Sequence, residues 1–434
     1  MRFYPLAAVL ILLSVTLGRV ATSAADESAP LPVGWLAELP PADEVSLGEL
    51  ESIALAENPT LRQAEMRVRA ARAKCLQEGL YPNPVIGYRG EEMGSMGTAG
   101  RQGGFLGQEI VTADKLQLRR SVAGHEVRQA EQALAAQRAR VLNDVRTGAY
   151  DVMVAQRAVE LNRQLVDIGR EGVGAAERLL EAMEVSRVDV LQARIEADSS
   201  ALRLHDAQNR HLAAWQRLSA LLGRPQMPMT RLAGDLESEL PEWSWDEAFE
   251  RLIAQSPELA EAWAGVRRAQ CAVASECAER TPNLSVEAAV LQDNAEQNTV
   301  ASVEFAMPLT LYNRNQGNIR RAGAELIAAR REVQRVELAL QQRLATTFEQ
   351  YANARHQTQQ YSASILPNAS ESLKLIQIGY EQGEFDYLKL LTAQRTYSEV
   401  ELAYLESLLR LNRAHVEIEG FLLSGGLQKL GQRD

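Results

Sequence analysis

Few residues of this 434-residue chain could do chemistry on their own. Its three cysteines are Cys75, Cys271 and Cys277. Cys271 and Cys277 stand six apart in one helical pattern, so they leave the helix on opposite sides and cannot bridge each other. Five histidines (His125, His205, His211, His356, His415) are scattered. His205 and His211 are six apart, not at the i, i+4 step that would let two imidazoles share one ion. No nucleophile stands beside a base, and the Gly-rich stretch at 94–107 lacks the spacing of a phosphate loop. The sequence therefore gives no reason to expect an enzyme, a bound metal or a cofactor. What remains is a pair of carboxylates, Asp189 and Asp386, each just after a break in a long helical pattern. Such a group can cap a helix, worth ~1 kcal/mol. Repeated by symmetry around a constriction, it can also focus field on passing cations. Both roles can hold at once, and capping is favoured for Asp189.

The elements that must carry these carboxylates are unusually long. No proline occurs between Pro84 and Pro225, and from Asp114 to Met183 the apolar positions repeat in sevens: Val141, Val145, Gly148, Val152, Ala155, Val159, Val166, Gly169 and Val173. That period marks a helix packed along a coiled-coil seam. At ~1.5 Å per residue the rod would be ~100 Å long, whereas globular helices average ~10–14 residues. Small seam residues let helix axes approach closely, as the wall of a helical tube would require. A helix over 47–79, with Leu61, Ala64, Val68, Ala71 and Cys75 inward, precedes the rod. One over 189–222, with Leu191 and Ile195 on its seam, follows it.

The plan then repeats. Asn58-Pro59 is answered by Ser256-Pro257, and Leu61, Ala64, Val68 and Ala71 by Leu259, Ala262, Val266 and Ala269, at a constant shift of 198. A second rod is expected over 316–381, with Ile319, Leu326, Val333 and Leu340 in sevens. A closing helix over 387–422 carries Leu388, Leu402, Leu409 and Val416. Repeat 1 thus covers 47–222, a linker 223–244, repeat 2 245–422 and a tail 423–434. Cys75 stands where the second repeat has Val273, which suits a small hydrophobe filling a seam. In each half the two shorter helices, laid end to end, match one rod.

Between the first helix and the rod, each repeat has two strand-like stretches, at 84–93 and 103–112 and at 283–292 and 299–310. Leu284, Val286, Ala288 and Val290 alternate with Ser285, Glu287 and Ala289, and Val303, Phe305, Met307 and Leu309 with Ser302, Glu304 and Ala306. One apolar and one polar face over ~9–11 residues is the pattern of a membrane barrel strand, although soluble hairpins packed on the helices would read alike. Four strands cannot close a barrel, and lipid tolerates no open edge. Strands that cross a membrane would therefore have to come from several copies.

The N-terminus reads as a secretory signal over 1–25: Arg2, an apolar run from Leu6 to Leu17, then Ala21, Ser23, Ala24 and Ala25. The run is shorter than the ~20 residues of a spanning helix. A Pro-rich arm, 26–46, follows. The net charge of -11, with no basic run, argues against a nucleic-acid partner.

In this order and spacing the pattern resembles the outer-membrane efflux protein family, the channel-tunnels of tripartite export pumps, over about 45–424. The resemblance rests on Asn58-Pro59 and Ser256-Pro257, on the run Pro308 to Gly317, on Ile365-Leu-Pro367, and on Gly383-Glu-Phe-Asp-Tyr-Leu388 with Ala393-Gln-Arg-Thr-Tyr397. Tyr312-Asn-Arg-Asn-Gln-Gly317 is most similar to the cobalt–zinc–cadmium type. The resemblance implies a mainly α fold with a small β part. It implies a homotrimer with an α-barrel and a twelve-stranded transmembrane β-barrel, four strands per chain, in the outer membrane, with most of the chain periplasmic. It also implies an equatorial belt built from the linker and termini. The implied partners are a periplasmic adaptor and an inner-membrane proton-driven transporter. The adaptor would meet the rod tips at Met183, Glu184, Ser186 and Arg187 and at Gly383, Glu384 and Phe385; Asp189 and Asp386 would form the entrance gate. Two departures stand out. Met183 stands near a place where relatives often have Gly, in a turn expected to be three residues longer than the one at Gly383. Asp386 and Asp189 are followed three residues on by Lys389 and Gln192 rather than by a second acid. The alternative is a secreted coiled-coil scaffold or adaptor with no membrane barrel.

Overall fold

The computed structural model describes residues 44–428, apart from 95, 96, 98, 238 and 239. The expected signal and most of the N-terminal arm, as well as the last residues of the tail, lie outside the described residues. Among the described residues, nine α-helices and six strands run in the order β1 (Glu44–Ser46), α1 (Leu47–Glu57), α2 (Pro59–Gln77), β2 (Val85–Glu91), β3 (Arg101–Ile110), α3 (Lys115–Glu181), α4 (Arg187–Leu222), β4 (Arg231–Ala233), α5 (Trp245–Gln255), α6 (Pro257–Ala278), β5 (Leu284–Asp293), β6 (Asn298–Ala306), α7 (Gln316–Gln360), α8 (Leu366–Glu381) and α9 (Tyr387–Glu419). Among the described residues no helix is long and apolar enough to cross a membrane.

The first rod, α3, is one unbroken helix of 67 residues. Its N-terminal half is flanked by α2, where Lys74 Nζ lies 2.7 Å from Glu126 Oε2 and Arg72 2.7 Å from Glu131. Its C-terminal half is flanked by α4, where Arg194 lies 2.6 Å from Glu177. The small seam residues do what their size allows: a Cβ on Gly169 would sit 3.2 Å from the Ala197 Cα, so α3 and α4 are in backbone contact there.

Three expectations need correction. The helix expected over 47–79 is two helices. Pro59 lacks an N–H and pushes the residue before it out of the helical region, so Asn58 is extended (φ -63°, ψ 122°). Its side chain instead accepts from Thr60 N–H at 2.9 Å and donates to the Leu221 carbonyl at 2.8 Å. Ser256 breaks the second repeat in the same way. The second rod is interrupted by a π-turn, Tyr361–Ile365, one residue before α8 takes Pro367 into its first turn. Finally, Leu191 and Ile195 are 49% and 64% exposed, and Leu388 is also exposed; the buried face of α4 is Val190, Ala193, Glu196 and Ser200, and that of α9 begins at Leu390 and Leu391. α4 is turned so that its small residues face α3, leaving Leu191 and Ile195 on the outside of the single chain.

Each repeat has its own core. The first gathers Leu50, Val141, Val145, Val152, Trp215 and Leu218. The second gathers Leu252, Val333, Leu340, Leu344, Tyr351 and Ile418. Val45, Met227, Leu232 and Leu236 pack on the first core, and Phe421 and Leu422 on the second. β1 pairs in parallel with β4, Val45 opposite Leu232, an interaction the sequence reading missed because each strand is only three residues long. Beyond α9 the chain crosses α3: Asn143 Nδ2 donates to the Gly420 and Leu423 carbonyls at 2.9 and 2.7 Å, and Gln137 donates to the Gly426 carbonyl at 2.7 Å. The Trp243 indole N–H donates to His415 Nδ1 at 3.2 Å, which fixes that nitrogen as the acceptor. Burial pushes the His415 pKa down.

β2, β3, β5 and β6 form one antiparallel sheet in the order β2-β3-β5-β6. The hairpins of the two repeats are joined through β3 and β5, with Phe105 opposite Ala289. β2 and β6 are left as open edges. Met307 and Leu309, expected to continue the fourth strand, lie beyond its end at Ala306.

Candidate functional site

The two helix turns at the end away from the sheet are built alike. Each runs five residues, 182–186 and 382–386, so the expected three-residue excess at the first turn is absent. Each closes α3 or α8 with the same pair of bonds. Met183 N–H reaches the Leu180 carbonyl and Glu184 N–H that of Leu179, both at 2.9 Å; Gly383 N–H reaches Tyr380 at 3.1 Å and Glu384 N–H reaches Gly379 at 2.8 Å. This closure needs a left-handed residue after the helix. Met183 (φ 56°) and Gly383 (φ 75°) provide it.

The turns superpose Ser186 on Asp386, not Asp189 on Asp386. Ser186 is the N-cap of α4, and Asp189, three residues on, returns its carboxylate to the Ser186 N–H at 2.8 Å. Hydrogen bonds from the Ser186 hydroxyl and backbone hold the Asp189 carboxyl below its ordinary value. Asp386 is itself the N-cap of α9, accepting from Lys389 N–H at 3.1 Å. The residue matching Asp189 is therefore Lys389. The expectation of two equivalent carboxylates fails because capping sites can be filled from the N-cap or from the third helical residue. Met183 is 93% exposed, and Glu184 and Arg187 at the same turn and Glu384 at the other are exposed as well. Phe385 is half-buried: its ring lies against Gly379, where any Cβ would collide with it, and Lys389 Nζ stands 3.9 Å from the ring centroid.

Just behind the turns the two repeats are tied together. Tyr387 packs with Val173, Ala176, Val190 and Ala193 and fills the notch at Gly172, where a Cβ would lie 3.0 Å from its hydroxyl. Glu196 of α4 is buried; it lies 2.6 Å from Arg203 and accepts from Arg395 of α9. Burial raises its pKa, but the hydrogen bonds from Arg395 and Arg203 outweigh that and leave it lowered. Neither residue was singled out from sequence. Arg395 falls inside a motif that carries the family resemblance, yet a partner 199 positions away has no local signature.

At the other end the four-stranded sheet separates its charges by face. Ile86, Tyr88, Leu106, Ile110, Leu284, Val286, Ala288, Val290, Val303 and Phe305 share one face, and that face carries no charged residue. Val303 and Phe305 are 62% and 68% exposed. The other face holds Arg89, Glu91, Arg101, Glu109, Glu287, Asp293 and Glu304. Arg101 Nε lies 2.9 Å from Asp293 Oδ2, and Arg89 pairs with Glu287. The Arg89 guanidinium lies 5.2 Å from the Phe105 ring centroid. Phe105 in turn lies over Gly87, where a Cβ would strike it, so both large side chains lie flat along the sheet.

The cysteines are all free, and no group of three or more His, Cys, Asp or Glu converges to hold a metal among the described residues.

An all-but-continuous α-wall with a four-stranded sheet at one end defines a class of fold, and the comparisons place it. The family model for outer membrane efflux proteins matches residues 50–224 and 248–422. These stretches are the two repeats, and the chain belongs to that family: it is an efflux channel of the outer membrane with a large periplasmic part. Cobalt-zinc-cadmium resistance protein CzcC of Cupriavidus metallidurans is 28% identical over 382 residues, covering 88% of this chain and 90% of that protein. Among solved structures, the outer-membrane channel OprN superposes with a TM-score of 0.72 at 20% identity, covering 88% of this chain and 90% of that one. The open state of the Neisseria gonorrhoeae MtrE channel superposes at 0.68 and 19%, covering 87% and 89%.

Proposed function

We propose that three copies assemble into the exit duct of a tripartite efflux pump, their sheets joining β6 to β2 of the next copy to close a twelve-stranded barrel. The observation that carries this is the sheet itself. It has two open edges and one face without charge, and a membrane-embedded sheet must satisfy every edge. The exposed Leu191, Ile195 and Leu202 on α4 and Leu375 and Ile378 on α8 supply apolar seams for the neighbouring copy. Conduction is passive and involves no catalytic step. An inner-membrane, proton-driven transporter supplies the energy, and a periplasmic adaptor meets the tips at Met183, Glu184, Ser186, Arg187, Gly383, Glu384 and Phe385. The named relative points to heavy-metal cations as cargo. Asp386, exposed at the tip, and Asp189 beside it would line the entrance as they cap their helices.

Extraction of membranes tests the assembly. The detergent-solubilised protein should run as a trimer that heating dissociates, and it should conduct in a planar bilayer. A monomer that stays in the soluble fraction would refute it. At the entrance, Asp386→Ala should alter cation block or conductance, and unchanged behaviour rules out a gating role.

A further inference from the structure

Resting on that trimer, we infer that the barrel wall itself selects for cations, and that Glu304 is the residue that sets this preference. The charged face is the one that turns to the bore, because a guanidinium on the lipid face would cost ~2–4 kcal/mol at the midplane and each carboxylate a further, smaller amount. On it two guanidiniums stand against five carboxylates, an excess of three negative charges per chain. The guanidiniums are already engaged within the sheet: Arg101 with Asp293, and Arg89 with Glu287 while lying over Phe105. Neither is free to attract an anion from the bore. Glu109 accepts from Asn283 Nδ2 at 2.7 Å, and Glu91 lies 3.9 Å from Arg89. In the single chain Glu304 is exposed and has no ion-pair partner among the described residues. It stands directly opposite Glu287 on the neighbouring strand, a like-charge juxtaposition that costs stability. Three copies place a ring of these carboxylates at one level of the barrel.

The reach of that ring can be bounded. Twelve strands ~4.8 Å apart and tilted ~40° enclose a backbone radius of about 12 Å. The Debye length is ~10 Å at 0.1 M salt and ~3 Å at 1 M. The ring's field therefore spans the bore in dilute salt and is confined to the wall in concentrated salt. This is field selectivity over a wall and requires no bound ion. It favours cationic cargo of any chemistry and disfavours anions.

The test is the potassium-to-chloride permeability ratio of the purified trimer in a planar bilayer, across a KCl gradient below ~0.1 M. The wild type should prefer potassium several-fold, falling toward unity near 1 M. Glu304→Gln should lower the ratio about twofold and Glu304→Lys further, with the trimer and its heat lability intact. Should Glu304→Lys fail to assemble, a Glu304→Cys chain lacking Cys75, Cys271 and Cys277 can be modified after assembly. A sulfonatoethyl thiol reagent should then keep the ratio, and a trimethylammonioethyl reagent should lower it. A conducting trimer whose ratio is the same with either reagent overturns the inference while leaving the channel intact, as does selectivity that shifts only with Asp386→Asn. A wild-type chain that neither assembles nor conducts overturns the channel reading and this inference together.

Discussion

The two repeats are built to one plan from different materials. Where the first places Val141, Val145 and Val152 in its core, the second places Leu340, Leu344 and Tyr351 at shifts of 199. The first rod is a single helix; the second is interrupted by the π-turn at Tyr361–Ile365 ahead of Pro367. The first tip turn puts a methionine in the left-handed region, and the second puts a glycine there. The same backbone path is thus reached by tight packing of small residues in one half and by larger residues with a relieved helix in the other. A π-turn adds one residue to a helical turn and commonly marks a functional position. The first half keeps a regular helix throughout, and the second carries the built-in irregularity.

The largest expected effect tests the material difference in the cores. Leu340→Ala should destabilise by about 3 kcal/mol and Val141→Ala by about 2 kcal/mol, read as the loss of heat resistance of the detergent-solubilised protein. Equal losses would mean that the two cores carry the same load. Next comes the tie between the halves. Glu196→Ala leaves Arg395 without its carboxylate and should cost about 2 kcal/mol, below the ~3–5 kcal/mol of a fully buried pair because both arginines are half-exposed. The lowered Glu196 pKa adds a pH signature. The pair's contribution is complete above the ordinary glutamate range and fades as pH falls through the folded value. The wild type should therefore lose part of its melting temperature in acid that Glu196→Gln does not lose.

His415 gives a second pH signature. Its folded pKa is depressed, so stability is complete above ~6.5 and declines as pH falls below that value, where the unfolded chain takes up the proton first. His415→Gln should flatten the melting profile between pH 7 and 5. The smallest effects lie at the tips. Met183→Gly should stabilise by about 1 kcal/mol and Gly383→Met should destabilise by a similar amount, since only glycine enters the left-handed region without cost. If both changes are neutral, the turns are held by their surroundings and not by local conformation.

How far the sequence can be read follows the range of the interaction. Helix starts are set by local signals: in the structure Ser46 with Glu49 and Ser244 with Glu247 both form capping boxes. The alternation of Val286, Ala288 and Val290 with Glu287 likewise predicts which side chains share a sheet face. The proline breaks at Asn58 and Ser256 were visible as motifs but read as continuous helix. The rotation of α4 was misread because apolar spacing alone cannot tell a seam facing α3 from one left on the outside of the chain.

By itself the sequence determined the duplication, the heptad rods, the positions of the hairpins and the carboxylates at the turns. Each of these is set by neighbours within one or two helical turns or along a single strand. Tertiary structure alone decided that Glu196 meets Arg395, that β3 of one repeat pairs with β5 of the other, and that the chain end crosses α3. These contacts join residues far apart in the chain, and their geometry exists only once the packed helices fix both partners in space.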